Sequence, residues 1–150
     1  MSAFDVFSSL SLFRQVTHED LLSLIPRITL DFCTYAPGER IMDEESEPLG
    51  LVYLLEGRVL GRHGDSRLYF GPGDLLTFAG LYGRDKRAYI GLEAIEKTRV
   101  LVVDAKSLLF LMQQHSAIMA TYLGWLSDAA DPVRCLHTLS ERQHHVDDRP

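Results

Sequence analysis

The spacing of apolar residues changes character twice along the chain. From Val6 to Ile25 they recur at helical intervals, at Leu10, Phe13, Val16, Leu21, Leu22 and Ile25, which predicts two short helices. Thr17 followed by Glu19 and Asp20 supplies an N-cap with acidic residues in the first turn of the second one. From Thr29 the pattern breaks into eight short β-like runs, at 29–35, 39–43, 50–55, 58–63, 66–70, 74–79, 88–95 and 98–104. Runs of this length separated by turn residues suit a double-sheet jelly roll. Asp104 then offers an N-cap for a helix beginning near Ala105, with Leu108, Leu109, Leu111 and Met112 as its packing residues. After an interruption at Gln113 to Ser116, Met119, Tyr122, Leu126, Ala129, Val133, Leu136 and Ser140 fall at alternating steps of three and four, the spacing of a coiled-coil seam. Pro132 removes a donor within that stretch, so the helix is expected to restart with Asp131 as its cap.

The turns are as informative as the runs. Pro holds φ near −65° and Gly accepts positive φ, so the Pro-Gly steps in Tyr35–Glu39 (Y-x-P-G-E) and Phe70–Leu76 (F-x-P-G-D-L-L) each turn a strand sharply. Gly64-Asp65 reads as a tight hairpin loop, and Asp43–Pro48 as a solvated acidic loop that lacks the ligand spacing and glycine of an EF-hand. Taken with Tyr53-Leu54-Leu55-Glu56-Gly57-Arg58-Val59 between them, the two Pro-Gly phrases resemble the cyclic-nucleotide-binding domain of the catabolite-activator and fumarate-nitrate-regulator (CRP/FNR) proteins. The resemblance spans roughly residues 6 to 142.

That resemblance implies a mainly β fold, a cyclic-nucleotide-binding-type double-stranded β-helix with short N-terminal helices and a C-terminal dimerisation helix. The expected organisation is a helical lead-in over 1–28, an effector-binding-like roll over 29–104, C-terminal helices with the dimer seam over 105–142, and a polar tail over 143–150. The implied dimer surface is Met119, Tyr122, Leu126, Ala129, Val133 and Leu136. Only Ser140 to Pro150 follows, too short and polar for the helix-turn-helix reader of the family's transcription factors.

The resemblance also locates an effector cassette at Thr77, Phe78, Ala79, Gly80, Leu81, Arg87 and Ala88. In cyclic-nucleotide binders this segment presents backbone N–H groups and an Arg to the cyclic phosphate, and a Glu to the ribose hydroxyl. Here Thr77 stands where the family has Gly and Phe78 where it has Glu. Arg87 resembles the phosphate-pairing arginine, but alignment through Ala94 to Val100 puts that arginine on Ala88, and one residue of slip reverses side-chain direction in a strand. A cyclic nucleotide is the cofactor the family suggests, and this degenerate cassette argues against high affinity for cAMP.

Composition narrows the alternatives. With 15 basic and 21 acidic residues the formal charge is −6, which weighs against direct nucleic-acid binding by this segment. Met1–Leu10 has no Lys or Arg ahead of its apolar residues and no long apolar core, so a cytoplasmic protein without signal or anchor is expected. Cys33 and Cys135 form no C-x-x-C motif and cannot hold an iron–sulfur cluster, and Cys33 reads as a small core hydrophobe. A jelly roll also describes metal-dependent cupins, whose sites need clustered His and carboxylate ligands, yet the roll holds only His63. No nucleophile elbow or P-loop occurs. Neither a metal nor an enzymatic activity is expected. The resemblance implies a sensory domain of a bacterial transcriptional regulator that responds to a small-molecule effector as a homodimer. The alternative is a ligand-free dimerisation or interaction module of the same fold.

Overall fold

A computed structural model of the chain describes residues 3–130. Helix α1 (Ala3–Ser9) leads through a single 3-10 turn (Ser11–Phe13) to α2 (His18–Leu24). Thr17 caps α2 as expected, its hydroxyl accepting the Asp20 N–H at 3.2 Å. Because α2 is so short, it buries only Leu21 and Leu24, and Leu22 stays 53% exposed.

Eight strands follow: β1 (Leu30–Tyr35), β2 (Arg40–Met42), β3 (Leu51–Glu56), β4 (Val59–His63), β5 (Ser66–Phe70), β6 (Leu75–Thr77), β7 (Gly91–Ala94) and β8 (Thr98–Val103). They form two four-stranded antiparallel sheets, ordered β1-β8-β3-β6 and β2-β7-β4-β5. Val52, Leu54, Val100 and Val102 of the first sheet face Val59, Leu68, Phe70 and Leu92 of the second across the roll interior. The other face of the first sheet, with Leu51, Tyr53, Leu101 and Val103, is covered by the helices. Strands β3 and β8 are thus buried on both sides, which is why they read as unbroken apolar runs rather than as alternating ones.

The two Pro-Gly motifs are one device used twice. In each, Gly takes a positive φ, +83° at Gly38 and +92° at Gly73, as the third position of a tight turn requires. The acid after the glycine folds back on the turn. Glu39 accepts the Ala36 N–H at 3.1 Å, and Asp74 accepts the Gly71 N–H at 2.8 Å. Gly64, at φ +58°, opens the expected two-residue loop between β4 and β5.

The largest difference from expectation is in one strand. The run predicted over 88–95 enters its sheet only at Gly91. Its first residue is claimed by the acidic loop: Ala88 N–H donates to Ser46 O at 2.6 Å and receives the Glu45 N–H on its own carbonyl at 2.8 Å. Cys33 is free and half-buried against the roll interior.

Beyond β8, Asp104 caps helix α3 (Ala105–Gln114) by accepting the Ser107 N–H at 2.7 Å. The chain breaks at His115 and resumes as α4 (Ser116–Ala130). His115 secures this corner with both ring nitrogens. Nδ1 accepts the Ala117 N–H at 3.2 Å, leaving Nε2 to donate to the Asp20 carboxylate at 3.1 Å. The expected restart at Asp131–Pro132, the seam positions Val133 and Leu136, and Cys135, His137, His144 and His145 lie outside the described residues.

Candidate functional site

Between β6 and β7 the chain runs from Phe78 to Ile90 without helix or strand. This is the segment of the expected effector cassette, and it forms no helix N-terminus to present backbone N–H groups to an anion. Gly80 draws the segment into a closed loop. A Cβ there, at φ +80°, would lie 2.6 Å from the Arg87 carbonyl oxygen, so the two ends of the loop meet only because the side chain is missing.

Thr77 and Ala88 are turned inward, at 0% and 1% exposure, and Leu81 is buried in the core on the helix side. Ala79 and Gly80 are half-buried. Arg87 lies outside, its Nε 3.2 Å from the Asp85 carboxylate with the side chain 59% exposed. Adjacent residues of extended chain point to opposite sides, so burial of Ala88 sends Arg87 to solvent. The roll therefore presents a methyl group at the position that the resemblance gives to the phosphate-pairing arginine. The nearby interior is also filled: a Cβ on Gly61 would meet Ile90 and Phe70 side-chain atoms at 2.7 Å each. Two open concavities lie elsewhere. One, of about 240 Å³, is over the outer face of the second sheet beside Arg40 and Arg62, and one, of about 470 Å³, is beside Phe32 and Arg99.

The Thr77 hydroxyl is sealed from water. Among the described residues its buried Oγ1 finds no hydrogen-bond partner. A buried hydroxyl without a partner costs about 1–3 kcal/mol. Thr77→Val keeps the branched shape and removes the hydroxyl, so it is expected to raise unfolding stability by about 1 kcal/mol, read as a higher urea midpoint. A lower midpoint would show that the hydroxyl is satisfied.

The cassette is held to the helices by aromatic side chains. The Phe78 ring stands 5.8 Å from Trp125 of α4 and 6.5 Å from Tyr89, centroid to centroid. Tyr122 of α4 donates its hydroxyl to the Phe78 carbonyl at 2.6 Å and stacks edge-on against both Trp125 (6.2 Å) and Tyr82 (6.1 Å). Tyr82 donates in turn to the Ala105 carbonyl at the start of α3, at 2.7 Å. Such ring pairs contribute about 0.5–1.5 kcal/mol each beyond the area they bury. Burial pushes the Tyr122 hydroxyl up to about 12 and raises that of Tyr82 as well, with the nearby Tyr122 and Asp104 adding to the rise. Both therefore remain hydrogen-bond donors at neutral pH.

This arrangement corrects one expectation. Tyr122, assigned to the dimer seam by its spacing, is 2% exposed and faces its own roll. Of the other seam positions, Met119 is 39% exposed, Leu126 is half-buried and Ala129 is exposed, while Leu123, not among the predicted positions, is 51% exposed. Trp125 and Tyr89 were not singled out from the sequence. The signal available was the pair Tyr122 and Trp125, three residues apart and hence on one helix face. His63, the one imidazole of the roll, donates through Nδ1 to the Tyr89 carbonyl beside Glu44. Among the described residues no group of three His, Cys, Asp or Glu side chains could hold a metal ion, and no helix is long and apolar enough to cross a membrane.

No protein-family model matches the chain, and no curated protein matches it. Solved structures do. The sensor domain of the transcriptional regulator DNR from Pseudomonas aeruginosa superposes with a TM-score of 0.70 at 15% identity, over 86% of this chain and 94% of that one. The Catabolite Activator Protein of Thermus thermophilus gives 0.65 at 18% identity, over 91% of this chain and 61% of that one. A transcriptional regulator from Thermotoga maritima gives 0.58 at 17% identity, over 87% and 99%. The fold is therefore the cyclic-nucleotide-binding jelly roll, as the turn motifs implied.

Proposed function

We propose that this chain is the sensory domain of a CRP/FNR-type transcriptional regulator, and that its cassette does not take cAMP or cGMP with useful affinity. The observation that carries this reading is the occupation of the cassette by protein groups. Phe78, at the position where the resembled cassette has its ribose-binding Glu, is engaged with Trp125 and Tyr122, and Arg87 is paired with Asp85 outside. The residues present do not fit a cyclic nucleotide. Losing one charged hydrogen-bond partner costs about 1.5–3 kcal/mol, roughly tenfold to over a hundredfold in affinity, and here both the acid and the base are missing from the interior. In this reading α4 is the output element and also the surface on which two copies of the chain pair, through Met119, Leu123 and Leu126.

Thermal melts with millimolar cAMP, cGMP and buffer test the cassette. Ligand at 100 times its dissociation constant would add about 2.7 kcal/mol and raise the midpoint by several degrees. An unchanged midpoint is expected, and a rise with either nucleotide would overturn the reading. The close packing of Phe70 and Ile90 over Gly61 favours a second reading, a ligand-free dimerisation or interaction module. A screen of other small metabolites that also leaves the midpoint unmoved would select it.

A further inference from the structure

We propose that Phe78 is a built-in substitute for an effector: its contacts with α4 hold the helix on the cassette with no ligand bound, so the coupled conformation is the domain's ligand-free resting state. The inference rests on the reading of residues 77–88 as the cassette of a sensory domain. It follows from the path of contacts rather than from any single one. The cassette reaches α4 through the Phe78 ring on Trp125 and through the Tyr122 hydroxyl on the Phe78 carbonyl, and it reaches α3 through Tyr82 on Ala105. Tyr89, after the loop, also meets the Phe78 ring in an edge-to-face contact and is itself held through its carbonyl by His63 of β4. A ligand can shift a two-state equilibrium only by binding one state better than the other. With the interface between cassette and helix already made of protein, the coupled state is the resting one, and its loss rather than its formation is the regulated event.

Trp125 is the only tryptophan in the chain and stands against Phe78, so it reports on the clasp directly. The test is amide hydrogen exchange and Trp125 emission on the full chain, without ligand, for wild type, Phe78→Ala and Tyr122→Phe. In wild type, protection across residues 118–125 should approach that of β3 and β8. Phe78→Ala should speed exchange in α4 by roughly tenfold or more and move Trp125 emission to longer wavelength, with β3 and β8 unchanged. Tyr122→Phe, which removes one hydroxyl and keeps the ring, should speed α4 exchange by roughly fivefold. Unaltered α4 exchange and emission in Phe78→Ala would overturn the proposal, as would α4 exchange in wild type at the rate of an unstructured peptide. If Phe78→Ala also loses protection in β3 and β8, Tyr122→Phe decides, and wild-type exchange in that variant would overturn the proposal. A cyclic-nucleotide melting shift would instead strike the reading of the cassette and leave these ligand-free measurements standing.

Discussion

Tyr53→Ala should remove about 4–5 kcal/mol of unfolding stability, a large share of the ~5–15 kcal/mol that holds a domain of this kind together. Tyr53 is fully buried in the middle of β3, on the face the helices cover. Its hydroxyl shares a hydrogen bond with the Ser11 hydroxyl at 2.8 Å and accepts the buried Leu12 N–H at 3.0 Å. One side chain thus fills the core and satisfies the backbone of the 3-10 turn that carries Leu12 and Phe13. Burial raises its pKa against the opposing pull of the Ser11 and Leu12 hydrogen bonds and of Arg14, so the neutral phenol is the native form. Tyr53→Phe separates the two roles: it keeps the ring and leaves Leu12 N–H without a partner, which costs about 1–3 kcal/mol. Urea unfolding at constant m-value measures both. If the phenylalanine variant matches wild type, the hydroxyl does not hold the lead-in; if it loses as much as alanine, the ring does not fill the core as described.

The second large effect concerns assembly. Met119→Glu combined with Leu123→Glu should convert a dimer into a monomer in sedimentation equilibrium, with the thermal midpoint of the monomer little changed. Both residues are more than a third exposed on α4, so neither belongs to the core, and an exposed substitution away from caps and buried groups usually moves stability by less than about 0.5 kcal/mol. Across a two-fold axis each glutamate would face its own copy or a neighbouring one, placing like charges at the centre of an apolar contact. A monomeric wild type would reject α4 as the pairing surface, and so would a double variant that stays dimeric. The choice of Leu123 over Tyr122 comes from the structure, because the helix turns Tyr122 onto its own roll.

Much of the fold was legible because its determinants are local. Pro fixes φ, Gly permits positive φ, and the acid that follows each Pro-Gly step closes its own turn within three residues. Caps at Thr17 and Asp104 act over the same range. The eight strands consequently fall within a few residues of the runs of apolar periodicity. Strand β7 is the largest discrepancy, and its cause is a partner 42 residues away, since Ser46 takes the Ala88 N–H.

The candidate site was only half legible. The resemblance placed the proposed cassette at residues 77–88, and Thr and Phe at positions 77 and 78 in place of the Gly and Glu of cyclic-nucleotide binders could be read directly. The inward side of the Arg87–Ala88 pair could not, because it depends on the Glu45–Ser46 loop setting the register of Ala88. Nor could the helical spacing that marked Tyr122 say whether its stripe would meet a second copy or the cassette of the same chain. Sequence by itself determined the turns, the strand order in the chain and the residue types of the 77–88 segment, since each is written in residue types and near-neighbour geometry. Only the tertiary structure decided that Phe78 meets Trp125, that Tyr122 is inside and Leu123 outside, and that Arg87 faces water. Those outcomes are set by contacts between segments more than thirty residues apart, or by their effect on which side of the chain faces the core.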